Sequence, residues 1–419
     1  MSYLKRKKVI SWAFYDWANS AFATTVMAGF FPLFFKSYWA TDLSSVESTA
    51  VIGTVNSTAG FIIMVLAPIL GAYSDLGKLK KKFLGFFVLI GVLSTGYLYF
   101  IPQGDWFLAA GLYTLAAIGF SAGNIFYDSL IVSVSREDQR NKVSSLGYSM
   151  GYLGGGLLFL INVLMYLNPA WFGLSSEVEA ILWSFLSVAV WWAIFSIPLF
   201  KNVEETGNVD SSINIFRTIL NAFNAVVQTI KEIKKHKRIA LFLLAYWFYM
   251  DGIDTIVRMA TAYGSDIGLD ASSMITALLM TQFIGFPATL VFGMYADKLG
   301  FKKILTIGIC IYILMCVYAS YMTTAFEFYV IAGIVGLVQG GVQAISRSFF
   351  SNLIPKGKEA QFFGFYNLVG KSAVIVGPAL VSWIALVFNN PRYGILSLLF
   401  LFIPGLILLW MVPNKELAQ

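Results

Sequence analysis

Twelve long apolar stretches, separated by short charged or turn-rich breaks, leave this 419-residue chain very few ways to fold. They read as 10–37, 49–73, 83–102, 106–133, 143–166 and 179–200, then, after a polar interval, 238–264, 272–296, 302–322, 325–354, 361–388 and 393–412. A helix of about 20 apolar residues crosses the hydrocarbon core, where only helices and closed barrels satisfy their own backbone polar groups. The stretches lack the dyad alternation of barrel strands, so an all-α integral membrane protein of twelve transmembrane helices is expected. Composition agrees: 12% of residues are charged, against about a quarter in a soluble domain.

Lys and Arg outnumber Asp and Glu by 29 to 22, and their placement decides what that means. All but five lie in alternate breaks: the N-terminus, 74–82, 134–142, 201–238, 297–303, 355–360 and the C-terminus. Lys36 and Arg392 fall on the other side, and Arg258, Arg347 and Lys371 fall within the apolar stretches. Basic residues stay on the cytoplasmic side, so both termini are expected there, and no nucleic acid is implicated. The basic start Lys5-Arg6-Lys7-Lys8 precedes an apolar run that Asp16 interrupts and no small-residue cleavage site follows, which reads as an uncleaved first helix. In the long interval, Ile213, Phe216, Ile219, Leu220, Phe223, Val226, Val227, Ile230 and Ile233 trace one helical face, an amphipathic helix at the membrane surface. The expected organisation is a six-helix bundle over 1–200, a linker over 201–237 and a second six-helix bundle over 238–419. Cys310 and Cys316 share one stretch without metal-ligand spacing and read as packing residues.

The halves echo each other. Gly71-Ala72-Tyr73-Ser74-Asp75-Leu76-Gly77-Lys78 follows the second stretch and Gly293-Met294-Tyr295-Ala296-Asp297-Lys298-Leu299-Gly300 the eighth, an offset close to half the chain that signals duplication. This Gly-x-x-x-Asp loop, in two copies, resembles the signature of the major facilitator superfamily. The resemblance implies two pseudo-symmetric six-helix bundles and assigns Gly71, Asp75, Gly293 and Asp297 to a conformational gate, with ordinary helix capping as the alternative. The run Trp12-Ala13-Phe14-Tyr15-Asp16-Trp17-Ala18-Asn19-Ser20-Ala21-Phe22-Ala23-Thr24-Thr25 is similar to the first helix of the vacuolar-effluxer-like branch, which includes autophagy-associated vacuolar proteins linked to amino-acid efflux. The branch implies amino-acid-like cargo. Gly147, Gly151, Gly155 and Gly156 resemble the superfamily's antiporter glycine motif, with Tyr152 where proline is usual, and also read as a close-packing helix face.

A charge within the bilayer costs about 2.5–3.5 kcal/mol on insertion scales, so each one points to a cavity or a partner. Away from their ends the stretches hold seven: Asp16, Asp128, Asp251, Asp254, Arg258, Arg347 and Lys371. The facilitator resemblance puts helices one, four, seven and ten around a central cavity, and six of the seven lie on those helices. Helical spacing adds Asn19 and Tyr15 beside Asp16, Asn124 and Tyr127 beside Asp128, and Gln339 and Gln343 beside Arg347. Tyr246 and Tyr249 adjoin the helix-seven stripe. Carboxylates and cations facing one cavity suit a zwitterion; internal salt bridges, Asp128 with Arg347 and Asp254 with Arg258, are the competing reading. Asp16 is the candidate protonatable coupling site, with Lys371 as a counter-charge. The expectation is a monomeric secondary transporter, coupled to protons, moving an amino acid or small peptide-like solute by alternating access. An exporter of amphipathic drugs or metabolites and a transport-fold sensor without flux are the rivals. No nucleotide-binding loop, metal motif or nucleophile motif is present, so neither an enzyme nor a cofactor is expected.

Overall fold

The computed structural model describes residues 3–76, 79–135, 140–205, 231, 236–351, 353, 365–366, 368–370, 372 and 375–413. Among these, every regular element is a helix. The apolar positions of the linker, Ile213 to Ile233, and Lys371 lie outside them.

Helix α1 begins as Tyr3–Ala21 and runs on through π-helical turns (Phe22–Phe30), one α-helical turn (Phe31–Phe34) and a second π stretch (Phe35–Trp39). There follow α2 (Ser45–Leu76), α3 (Lys80–Tyr97), α4 (Trp106–Ser129), α5 (Arg140–Leu167) and α6 (Glu177–Asn202). The second half contains α7 (Lys237–Asp266), α8 (Ala271–Leu299), α9 (Phe301–Tyr321), α10 (Ala325–Ser351) and α11 (Val376–Phe388). A short helix, Pro391–Leu396, then leads into α12 (Leu399–Met411). Among the described residues, ten helices are long and apolar enough to cross a membrane. The 32-residue α2 and the apolar 13-residue α11 stand at the places of the second and eleventh crossings. Helix four was expected to reach 133; it ends at Ser129, and a separate turn, Ile131–Val134, follows.

Consecutive helices are antiparallel, so the molecule has a terminal face, where α1 begins, and a far face, where α1 ends. The even helices start at the far face, and a side chain caps the start of α2, α4, α6, α8 and α10 and of the short helix that leads into α12. Glu47 accepts from the Ser44 amide at 2.9 Å, Asp105 from Leu108 at 3.2 Å and Glu179 from Ser175 at 2.8 Å. Asp270 accepts from Ser273 at 2.7 Å, Glu327 from Thr323 at 2.8 Å and Asn390 from Arg392 at 3.0 Å. These bonds occupy amides that a helix leaves without partners, and a carboxylate there also opposes the positive end of the helix dipole.

Lys81 Nζ bonds the carbonyls of Phe200 (2.8 Å) and Val203 (2.7 Å), closing the end of α6. Lys302 Nζ bonds those of Trp410 (2.8 Å) and Val412 (2.7 Å), closing the end of α12. Both lysines are second residues of their helices, α3 and α9, so the duplication read from the loops recurs as an equivalent C-terminal cap. Gly300, the trailing glycine of the second loop copy, has φ 85°, a left-handed turn that a side chain would strain, and lies directly before α9.

A proline interrupts α1. Pro32 has no amide to offer the carbonyl of Ala28, and the hydroxyl of Thr261, from α7, donates to that carbonyl at 2.9 Å. A kinked helix in lipid is tolerated where a neighbour satisfies the freed group, and here the neighbour belongs to the other half.

Candidate functional site

A cavity of about 300 Å³ lies between the two halves. Asp16 and Asn19 of α1, Asn124 and Asp128 of α4, Asp254 and Arg258 of α7, and Gln339, Gln343 and Arg347 of α10 all line it. The structure therefore brings together nine of the residues singled out by charge and spacing, from all four helices expected.

Asp16 is held from behind. Tyr127 donates its hydroxyl to Oδ2 of Asp16 at 2.9 Å, and Trp12 stacks on the Tyr127 ring at 4.4 Å while its indole N–H bonds the Tyr127 carbonyl at 3.0 Å. Asn19 Nδ2 bonds Asn124 Oδ1, tying α1 to α4. The glycines of α5 make room for α1: a Cβ on Gly147 would stand 2.7 Å from Asp16 Oδ2, and one on Gly151 2.5 Å from Ser20 Oγ. Close packing, the alternative to an antiporter motif, is what these two glycines provide.

Polar contacts between the halves lie on both sides of the cavity along the helices, towards the two faces. Towards the terminal face, Arg347 Nη2 meets Asp128 Oδ1 at 3.0 Å, Nη1 bonds Ser144 Oγ at 2.8 Å, and the guanidinium lies 4.9 Å from the Tyr148 ring, whose hydroxyl it also bonds at 3.2 Å. Towards the far face, Arg258 Nη1 bonds Asn56 Oδ1 at 2.9 Å, and Tyr113 bonds the same oxygen at 3.0 Å. Beyond them Lys36 Nζ pairs with Asp266 at 2.7 Å, and Ser45 and Thr49 donate to that carboxylate at 2.7 and 2.9 Å. The internal pair expected for Asp128 and Arg347 is thus present. Arg258, for which Asp254 was the expected partner, reaches across to the first half.

Other expected residues sit elsewhere. Tyr15 and Tyr127 are buried behind the cavity wall, with ring centroids 4.8 Å apart. Asp251 is fully buried against α11: its Oδ1 accepts the Gly377 amide at 2.9 Å, at the start of that helix. The stripe of Asp251, Asp254 and Arg258 spans two helical turns, enough for its upper and lower members to meet different neighbours. Tyr249 bonds Ser346 at 2.7 Å and does not line the cavity, whereas Tyr246 does. Gly71 and Asp75 fall in the last turns of α2, and Gly293 and Asp297 in those of α8; their side chains, like Lys371, lie outside the described residues.

Sequence reasoning missed Tyr148, Tyr152, Gln282 and Tyr366 in the lining and the Lys36–Asp266 closure. Uncharged residues in apolar helices carry no signal of their own. Lys36 did carry one, as one of two basic residues on the sparsely basic side.

The comparisons with known proteins agree with this architecture. The family model described as vacuole effluxer Atg22 like matches residues 39–417. The chain is 41% identical over 411 residues, 98% of its length and 95% of the relative's, to the uncharacterized MFS-type transporter YxiO of Bacillus subtilis (strain 168). It is 24% identical to Autophagy-related protein 22 of Kluyveromyces lactis, over 77% of this chain and 70% of that one. Its fold resembles the partially occluded inward-open xylose transporter XylE from E. coli, with a TM-score of 0.64 at 15% identity and full coverage of both chains. These relatives are transporters rather than enzymes, and the apolar helices set the protein within a membrane. The chain accordingly belongs to the vacuole effluxer Atg22-like family of MFS-type transporters.

Proposed function

We propose that the protein moves a small zwitterionic solute, an amino acid or a small peptide-like molecule, across the bacterial inner membrane by alternating access coupled to protons. Residues 201–237 tether the two bundles, both termini face the cytoplasm, and the protein acts as a monomer. The observation that carries this reading is the convergence of carboxylates (Asp16, Asp128, Asp254) and guanidinium groups (Arg258, Arg347) on one cavity between the halves. An ammonium group finds acceptors there and a carboxylate finds donors. At about 300 Å³ the cavity is at the small end of ligand sites, which span about 300–1,000 Å³. Polar contacts between the halves towards each face supply what alternation needs, since opening one face requires breaking its contacts while the other's persist.

Asp16 is the coupling carboxylate in this scheme, held by Tyr127 at the cavity wall. Arg347 holds the solute's carboxylate, and Asp75 and Asp297 serve the terminal-face gate. Purified protein screened by thermal shift against amino acids, peptides and cell-wall fragments identifies the cargo, with Arg347→Ala as control. In proteoliposomes, uptake of that cargo should follow an imposed pH gradient, and Asp16→Asn should lose the gradient dependence. Gradient-driven uptake by Asp16→Asn at the wild-type rate removes Asp16 from the mechanism. The aromatic and apolar part of the wall, including Phe120, Met250, Leu278 and Phe328, favours a second reading as an exporter of amphipathic compounds. Broad cargo binding that ignores Arg347→Ala would decide for it.

A further inference from the structure

One residue lies in both halves of the machine. Tyr152 projects from α5 of the first half, yet its ring is seated on backbone of the second. A Cβ on Gly285 of α8 would stand 2.9 Å from Cε1 of that ring, and one on Gly340 of α10 2.8 Å from Cε2, so a glycine lies against each edge. One turn further along α5 the relation is reversed: Gly156 is the hollow, and a Cβ there would stand 3.1 Å from that of Gln282 on α8. Large residue and glycine thus alternate across this seam in both directions, and Tyr152 and Gln282 both line the cavity.

The seam differs in kind from the closures at the two ends. Those consist of ion pairs and directed hydrogen bonds, which hold one geometry and fail when it changes. An aromatic ring between two glycine backbones is held by dispersion and shape, which have no such angular requirement. Gly285 lies near the middle of α8 (Ala271–Leu299) and Gly340 near the middle of α10 (Ala325–Ser351), between the two sets of polar contacts. Two ends that open in turn need a contact between them that persists.

We propose that Tyr152 is that contact: a positioning residue on which the halves turn, its ring retained between Gly285 and Gly340 throughout the cycle. This rests on the alternating-access reading above. The ring supplies the pivot, and its presence in the cavity wall means that the turn reshapes the site.

The test follows the motion itself and needs no known cargo. In the full chain, with Cys310 and Cys316 replaced by alanine, spin labels are placed at Trp171 and Phe326 on the far face, or at Glu204 and Leu299 on the terminal face, all exposed positions. Distances are read by pulsed electron resonance in lipid nanodiscs across a pH series. The wild type should populate two distances at each face, the long one at one face rising as that at the other falls. Tyr152→Phe should keep this opposition, and Tyr152→Ala should abolish it, both faces broadening together. Gly285→Ala, whose three nearest contacts would all be Tyr152 atoms, should shift the populations in the wild type and add nothing in a Tyr152→Ala background. Opposition that survives in Tyr152→Ala, or a Gly285→Ala effect that does not depend on Tyr152, overturns the pivot and leaves alternation standing. Single, invariant distances at both faces of the wild type would remove alternation and the pivot with it. Should Tyr152→Ala not fold, Gly285→Ala alone decides: unshifted populations overturn the proposal.

Discussion

Asp266 accepts three donors from the first half, Lys36, Ser45 and Thr49, and with Lys36 it is almost sealed from solvent, the side chains being 6% and 9% exposed. Removing one member of a buried pair leaves the other uncompensated, at a cost of about 3–5 kcal/mol, whereas replacing both by apolar groups is often close to neutral. Asp266→Leu should therefore lower the unfolding midpoint in detergent more than the double variant Lys36→Leu with Asp266→Leu, and a midpoint lower in the double variant would show that the pair does not act as a unit. Gly147 offers a second test at this scale. A methyl group there would press on Asp16 at 2.7 Å and on Trp12 at 2.9 Å, both held by Tyr127. Gly147→Ala should cost about 1–3 kcal/mol of stability, read as a shifted denaturant midpoint, through overpacking. Residues such as Asp16, Asp128 and Arg347 could be found from sequence because a charge in an apolar helix must have a reason. Asp251 obeyed the same rule, yet its reason is the start of α11, and sequence does not say which neighbour a charge serves. Tyr152 gave only a departure from a motif, since its meaning lies in glycines 133 and 188 positions further along the chain.

Helix ends and interruptions set the next scale. Because Pro32 leaves the Ala28 carbonyl without its helical donor, Thr261→Val should strand that oxygen and cost about 1–3 kcal/mol. Pro32→Ala in the same background should recover part of the loss by restoring the amide, and equal unfolding midpoints with and without Pro32 would refute the account. The far-face caps can be probed by pH. The Ser273 amide and hydroxyl hold the Asp270 carboxyl below the usual carboxylate range. A lowered pKa in the folded state means stability that is present above the unfolded-state value and lost as pH falls through the folded one. Amide exchange at Ser273 should therefore speed up relative to that in mid-α8 only on acidification below the ordinary carboxylate range, and Asp270→Asn should remove the pH dependence. Most crossings were legible within a few residues because hydropathy fixes them. The end of α4 at Ser129 was not, because the turn that follows, Ile131–Val134, is as apolar as the helix.

For the whole molecule, the duplication legible in two loops reaches the detail of a lysine that closes the last helix of each half. Hydropathy and repeat were enough for the architecture, since both are properties of the chain read in order. The contacts between halves were less legible, because they depend on helix rotation and relative height, which no single helix encodes. Lys36 and Asp266 are 230 residues apart and meet only once two bundles have formed.

Their seclusion has a consequence for how this contact between the halves responds to dissolved salt. Mobile ions weaken attractions between solvated charges over about 8–10 Å, but they act little on a pair they cannot surround. Lys8 and Glu204, 32% and 80% exposed at the terminal face, form a bond that brine should loosen. The far-face pair should hold equally well in dilute and concentrated electrolyte, so changes in salinity at that face would leave the two side chains joined.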